Sequence, residues 1–206
     1  AKAAQALVSA GRRKIDVGFA NGRPFFVTCG MAADAALVRT FDKMPMRGIL
    51  PYVFAAAYEF IEYRPSPFSV EIDGHKQEVF DAPLVFTVAN LTQYGGGARI
   101  APQAREDDGM LELVVIPRAD APAAVAGLGR LFDGTINRLP GLTTRRFRTL
   151  AVTRRAPAPI QLDGELVQAP ASVAVEVRPG ALTVLIPENR PGTPSLKAKK
   201  ENSWND

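Results

Sequence analysis

Four short segments carry residue types that can do chemistry, and they stand far apart in the chain. The tightest is LDGEL, Leu162 to Leu166, in which Glu165 follows an Asp163-Gly164 pair. A positioned carboxylate can take a proton from a substrate hydroxyl, assistance worth roughly 10²–10⁴ in rate; a plain hairpin turn explains the same letters. In REDDGMLEL, Arg105 to Leu113, Asp107, Asp108 and Gly109 make a turn into the next strand. A carboxylate flanked by free carbonyls in such a turn also suits a hard cation. The repeated acidic ligands of an EF-hand are missing, so any metal here would lean on few side chains and more on backbone. NLTQYGGGARIAP, Asn90 to Pro102, holds three consecutive glycines, Gly95, Gly96 and Gly97, after an apolar run. They permit positive φ and close backbone approach to a ligand, or form a surface loop. The fourth, TTRRFRTLAVTRR, gathers Arg145, Arg146, Arg148, Arg154 and Arg155. It reads as a solvated strand face, or as a contact with an anionic membrane surface.

Other chemistries lack material. The glycine run is followed by neither Lys-Ser/Thr nor a helix, so it is neither a P-loop nor a dinucleotide fingerprint. His75 is the only histidine and Cys29 the only cysteine, which leaves nothing for a zinc site, a Cys-His pair or a disulfide framework. No G-x-S-x-G marks a hydrolase. Hydrophobic residues make up 47% of the 206 and charged ones 22%, the balance of a soluble domain with a core. No apolar run approaches the roughly 20 residues of a membrane span, and the opening AKAAQALVSAGRRK is not a secretory signal. A cytoplasmic protein is the expectation. The net charge of +4 permits phosphate-rich partners. The basic residues lack interleaved stacking aromatics, so nucleic acid is not an expected partner.

Elements must then position these segments. Ala1 to Lys14 reads as a helix ending at Gly11, with Arg12, Arg13 and Lys14 at its C-terminus. IDVGFANGRPFFVTCGMAADA reads as strands around Asn21-Gly22. Asp34 is the expected N-cap of a helix carrying Leu37, Val38, Phe41 and Met44. A second helix from Met46 to about Glu62 places Ile49, Val53, Ala56, Ala57, Phe60 and Ile61 on one face and stops before Pro65. Strands follow: SVEIDGHKQEVF as a hairpin, then APLVFTVAN, DGMLELVVI, Arg148 to Thr153, PIQLDGELV, ASVAVEV and ALTVLI. ADAPAAVAGLGRLFDG reads as one more helix. Many short strands spaced by turns predict a mainly β (α+β) sandwich with two or three helices packed on it. The tail, 188–206, is polar and expected to be disordered.

The order of the motifs is more specific than any one of them. ID-x-G, NGR-x-F, CG-x-x-x-DA, VAN-x-x-x-YGGG-x-x-IAP, DDG-x-L-x-L and LDGE follow one another. This succession, from about Arg13 to Pro187, resembles the C-terminal half of the bacterial diacylglycerol kinase and sphingosine kinase-like lipid kinases, in the NAD kinase-like superfamily. The chain departs from them at Met31-Ala32-Ala33, where a second glycine is common. The resemblance implies a two-lobed enzyme whose nucleotide lobe carries Gly-Gly-Asp-Gly, a motif missing from this sequence. On that basis 1–14 is the end of the inter-lobe connection, 15–187 the C-terminal sandwich lobe, and the chain a fragment inactive alone.

By the same resemblance Glu165 is the general base toward a lipid hydroxyl such as that of diacylglycerol, with ATP as co-substrate, and Asp163 helps shape the turn or the local field beside it. Asp108 is the carboxylate of a structural or orienting Mg²⁺ site completed by the carbonyls of Arg105 and Met110. Asn90, Tyr94, Gly95, Gly96 and Gly97 lie near the nucleotide cleft. The implied partners are the N-terminal nucleotide-binding lobe and a lipid at an anionic membrane surface, visited peripherally; an uncovered inter-lobe face would be the place for homo-oligomer contacts. The alternatives are a non-catalytic lipid-binding or regulatory sandwich, and a kinase for a sphingoid base, ceramide or NAD.

Overall fold

The computed structural model describes residues 10–42, 55, 57–59, 61–75, 77–118 and 125–186. Their strands are β1 (Gly11–Ala20), β2 (Arg23–Phe25), β3 (Thr28–Gly30), β4 (Phe68–Ile72), β5 (Glu78–Phe80), β6 (Pro83–Ala89), β7 (Leu111–Pro117), β8 (Thr143–Phe147), β9 (Thr149–Arg154), β10 (Ala158–Leu162), β11 (Glu165–Ala169) and β12 (Ser172–Ile186). Two helices, α1 (Ala33–Asp42) and α2 (Arg130–Asp133), and a 3₁₀ turn at Ile136–Arg138 complete the labelled elements. The strands form two six-stranded sheets, β2-β1-β12-β9-β4-β5 and β11-β10-β3-β6-β7-β8, with antiparallel pairing throughout. The expected mainly β sandwich is what the chain forms.

Period-2 alternation builds the core between the sheets. Val70, Val152 and Val173 point inward from the first sheet, and Phe86, Leu111, Leu113 and Val115 from the second. Phe68 meets Phe86 edge to face, centroids 5.0 Å apart, the arrangement aromatic quadrupoles favour. The second sheet is buried on its other face as well. Leu84 and Val114 pack there with Ile100, Ala101, Ile136 and Leu139, which is why β6 is buried along its whole length and reads as a continuous apolar run.

Three two-residue turns share one device. Asn21-Gly22, Asp73-Gly74 and Asp163-Gly164 all have positive φ at both residues, as hairpins with matching twist require. In each the first side chain also staples a neighbouring strand. Asn21 Oδ1 accepts the Ala174 N–H, and Asp73 Oδ1 accepts those of Arg148 and Thr149; Asp163 does the same at the site described below.

Several sequence expectations need correction. Arg12, Arg13 and Lys14 are strand, since Gly11 to Lys14 pairs with Ile186 to Thr183 of β12; the earlier part of the expected helix lies outside the described residues. Ladder pairing with β12, not helical propensity, decides this segment. ASVAVEV and ALTVLI are one 15-residue strand, β12, because the Pro179-Gly180 irregularity is absorbed opposite a bulge at Asp16, between the Ile15–Leu182 and Val17–Arg178 pairs. The helix expected over ADAPAAVAGLGRLFDG breaks at 127–129, within the Gly127-Leu128-Gly129 turn, and resumes only as α2. Of the helix expected from Met46 to Glu62, the described residues bury Ala55 and Glu59 and expose Ile61, a face different from the expected one. Arg154 is not solvated: in phase with Leu150 and Val152 on β9, it is buried and donates to the carbonyls of Ala158 and Pro170, and burial lowers its guanidinium pKa. The 188–206 tail lies outside the described residues.

Candidate functional site

The site is assembled around Phe26 to Thr28, the segment that leads into β3. Asp163 Oδ2 accepts the Phe26 N–H at 2.7 Å, and its Oδ1 accepts those of Val27 and Thr28 at 2.7 and 3.0 Å. The Asp163 N–H returns a bond to the Thr28 carbonyl at 2.9 Å. Behind the turn, Gln161 Oε1 accepts from the Gly164 N–H and Gln161 Nε2 donates to Thr28 Oγ1. These bonds make Asp163 a staple between the turn and the Phe26–Thr28 segment. Glu165, opposite Leu162 in the β10–β11 ladder, is left exposed, and among the described residues its carboxylate makes no hydrogen bond. The division is chemical: one carboxylate is spent on three backbone donors, the other is presented to solvent.

Asn90 reaches the same segment from β6. Its Nδ2 donates to the carbonyls of Phe26 and Asp16, both at 2.9 Å, and its N–H to the Val27 carbonyl. With 1% of its surface exposed, Asn90 sits beneath the site rather than on its wall. The chain of bonds continues through Asp16, whose buried carboxylate accepts the N–H of Gly109 at 2.6 Å and of Gly180 at 2.8 Å. The Asp16 N–H donates to the Glu106 carbonyl. LDGE, VAN, ID-x-G, DDG and the Phe26–Thr28 segment that follows NGR-x-F thus form one hydrogen-bonded assembly.

The glycine loop is anchored separately. Ile100 and Ala101 are buried in the outer core of the second sheet, and Arg99 N–H donates to the Leu131 carbonyl. Gly95, Gly96 and Gly97 have φ of 134°, 56° and 87°, a course that L side chains resist. They close a tight loop in which the Tyr94 N–H donates to the Ala98 carbonyl. The Tyr94 hydroxyl lies 2.6 Å from Thr87 Oγ1, which donates to Asp34 Oδ2 at 2.5 Å. Asp34 is not an N-cap: it lies inside the first turn of α1, buried, accepting the N–H of Ala32 and Ala35. Burial pushes its carboxyl up to about 6, against the opposing pull of the Thr87, Ala32 and Ala35 donors. Gly30 makes room for it, since a Cβ there would stand 2.2 Å from Asp34 Oδ2.

At the other end of the assembly, Arg13 pairs with Glu106 at 2.8 Å and with Asp107 at 2.6 Å. Asp108 Oδ1 accepts the Met110 N–H at 3.1 Å, and its Oδ2 is held by Arg146 of β8. A depression of about 560 Å³ opens beside Asp107, Asp108, Lys14 and Arg148. The described residues contain no group of three or more acidic, histidine or cysteine side chains suited to a metal. An ion here would rest on Asp108 and the carbonyls of Arg105 and Met110. The donors fit a hard divalent cation, being all oxygen, and the Arg146 guanidinium already stands in for a positive charge on the carboxylate. Nearby, Glu112 is 5% exposed and its Oε2 has no hydrogen-bond partner. Burial raises its pKa, Arg146 draws it down and Asp108 raises it further.

Asp16, Asp34, Thr87, Glu112 and Gln161 carry this site without having been singled out as site residues, and Arg146 was named only as part of the basic stretch. The available signals were polar letters inside buried strands, Thr87 in VFTVAN and Glu112 in LELVVI, and the acids of ID-x-G and CG-x-x-x-DA. His75 is exposed next to its turn. Cys29 is fully buried, and burial raises its thiol pKa far above the usual range, so it is no nucleophile.

A family model described as the YegS C-terminal NAD kinase β-sandwich-like domain matches residues 26–186. A protein of Pseudomonas putida (strain KT2440) named "Probable lipid kinase YegS-like" is 30% identical over 192 residues, covering 91% of this chain and 61% of its own length. A protein of the same name from Pseudomonas aeruginosa (strain UCBPP-PA14) is 30% identical over 201 residues, covering 92% and 62%. The chain thus spans about three fifths of the length of these relatives. A crystal structure of a diacylglycerol kinase from Bacillus anthracis str. Sterne shares the fold, with TM-score 0.58 at 16% identity over 90% of this chain and 58% of that one. A further solved chain from that organism has TM-score 0.71 at 16% identity, covering 90% and 60%. With matched motifs, topology and family model in agreement, the chain belongs to the YegS C-terminal, NAD kinase β-sandwich-like domain family.

Proposed function

We propose that this lobe supplies the acceptor side of an ATP-dependent lipid kinase, working with a nucleotide-binding lobe. Glu165 takes the proton of a lipid hydroxyl as its oxygen attacks the γ-phosphorus of ATP. The new O–P bond forms as the bond from the γ-phosphorus to the β,γ-bridging oxygen breaks, and ADP leaves. Phosphoryl transfer is mostly positioning and charge neutralisation, so base and phosphate cradle can sit on different lobes. Mg²⁺ accompanying ATP would supply charge neutralisation on the phosphates; Asp108 and the carbonyls of Arg105 and Met110 would hold a further ion that orients the lobe. Asn90 supports the wall from below. Tyr94 and Gly95–Gly97 border the cleft.

The observation that carries the lipid reading is what flanks Glu165. Its neighbour Leu166, 37% exposed, lines a cavity of about 110 Å³ with Met31, Ala32, Ala36, Tyr63 and Pro159, and Arg39 stands at the same cavity. Glu165 does not line this cavity, because successive residues of β11 alternate faces; the cavity lies on the strand that carries the carboxylate, and its apolar lining suits an alkyl chain. No helix among the described residues is long and apolar enough to cross a membrane, and the lipid would be met at an anionic membrane surface.

The test is ATP-dependent phosphorylation of diacylglycerol in vesicles by the two-lobed protein and its Glu165→Gln variant. We expect the variant to lose roughly 10²–10⁴ in kcat with its melting temperature unchanged. Equal rates would remove Glu165 as base. A wild type inactive on diacylglycerol, sphingoid bases and ceramide would favour a lipid-binding sandwich without chemistry.

A further inference from the structure

Arg146 and Glu112 are directly opposite one another in the β7–β8 ladder. Opposed residues share a sheet face and lie within reach of each other. Arg146 nevertheless reaches past Glu112 to Asp108, and Glu112 keeps a buried carboxylate oxygen without a partner. A buried acceptor left unmade is costly, and a guanidinium is the group best shaped to satisfy it. The Arg146–Asp108 pair, by contrast, has a side chain 54% exposed on the arginine. Exposed pairs of this kind are weak and easily exchanged.

We propose that Arg146 is a two-position switch at the cation site. It takes turns with a divalent cation on Asp108, and a cation arriving on Asp108 and the carbonyls of Arg105 and Met110 moves it onto Glu112. This rests on the reading of Asp108 as the cation carboxylate. The swap leaves both acids countered: the cation replaces the guanidinium on Asp108 while the guanidinium neutralises the buried acid four residues on. Arg146 thereby sets how tightly the site holds metal, and Glu112 makes its release from Asp108 cheap. The neighbouring carboxylates do not compete for it, because Glu106 and Asp107 are held by Arg13.

Titration calorimetry of Mg²⁺ and of Mn²⁺ into the full 206-residue chain tests this with no dependence on catalysis. Arg146→Met removes the competitor and should tighten cation binding roughly two- to fivefold. Glu112→Gln removes the landing place and should weaken binding roughly threefold or more. Its effect should vanish in the Arg146→Met background, whereas a mere loss of nearby negative charge would persist there. Asp108→Asn should abolish binding. Arg146→Lys, which keeps the charge and loses the fork, should fall between wild type and Arg146→Met, and serves if the methionine variant folds poorly. Equal affinity in wild type, Arg146→Met, Arg146→Lys and Glu112→Gln, with binding lost in Asp108→Asn, would overturn the switch and leave the cation site standing. No cation binding in wild type or Arg146→Met would overturn the cation site and the switch with it.

Discussion

Asp163 Oδ1 accepts the backbone N–H of Val27 at 2.7 Å, although the two residues are separated by 136 positions in the chain. That bond, with its neighbours to Phe26 and Thr28, decides where Glu165 stands. A hairpin alone orients its own two strands; the clip to Phe26–Thr28 orients the hairpin against the rest of the sandwich.

The two carboxylates of LDGE should therefore separate cleanly by experiment. Asp163→Ala leaves three backbone donors without their acceptor and should cost about 1–3 kcal/mol, read as a lower urea midpoint. Glu165→Gln should leave that midpoint where it is.

Gly30 is a packing requirement. A Cβ at this position would meet Asp34 Oδ2 at 2.2 Å, Asp34 Cγ at 2.6 Å and Gln161 Cγ at 2.9 Å. Gly30→Ala should destabilise by about 2 kcal/mol or more, and the loss should shrink in Gly30→Ala/Asp34→Ala, because the clashing carboxylate is gone. Thermal denaturation of the two variants checks this.

Asp34 should write a pH dependence into stability. Its folded pKa, raised to about 6 from 3.8, lies above the unfolded value, so the folded state binds the proton more tightly. The contribution is full at pH values below the unfolded pKa and is lost as pH rises to about 6, a change on the order of 2–3 kcal/mol. Urea titrations between pH 4 and 7 should show stability falling over that window, and Asp34→Asn should remove this component of the slope.

Asp16 joins the β1 bulge to both glycine turns it touches. Asp16→Ala would leave the N–H groups of Gly109 and Gly180 without their acceptor and should cost about 2–4 kcal/mol. Asp16→Asn keeps an acceptor for only one of the two and should recover about half of the loss. Urea midpoints of the three proteins give the comparison.

How much was legible before the fold was known differs by kind of residue. Alternation and short apolar runs marked β4 to β7 and β9 to β11, and Asn21-Gly22, Asp73-Gly74 and Asp163-Gly164 marked three hairpins, because these signals are local. The start of β1 and the length of β12 were not legible: Arg12 to Lys14 read as helix, and Pro179-Gly180 read as a break. Whether such residues extend a strand depends on a partner some 170 positions away, as Gly11 pairs with Ile186.

The candidate site divides the same way. Residue types and their order in the chain, with the family they resemble, put forward Glu165 as a candidate base, Asp163 as a candidate turn former and Asp108 as a candidate cation carboxylate, since the chemistry of a side chain is written in its identity. What those side chains do to one another was decided only by tertiary structure. Burial turned Asp34 from an expected cap into a carboxyl with a raised pKa. Sheet pairing put Arg146 opposite Glu112 and within reach of Asp108. Hydrogen bonding committed Asn90 and Asp16 to the backbone. Burial, pairing and desolvation are properties of neighbours in space, and a chain read one residue at a time does not contain them.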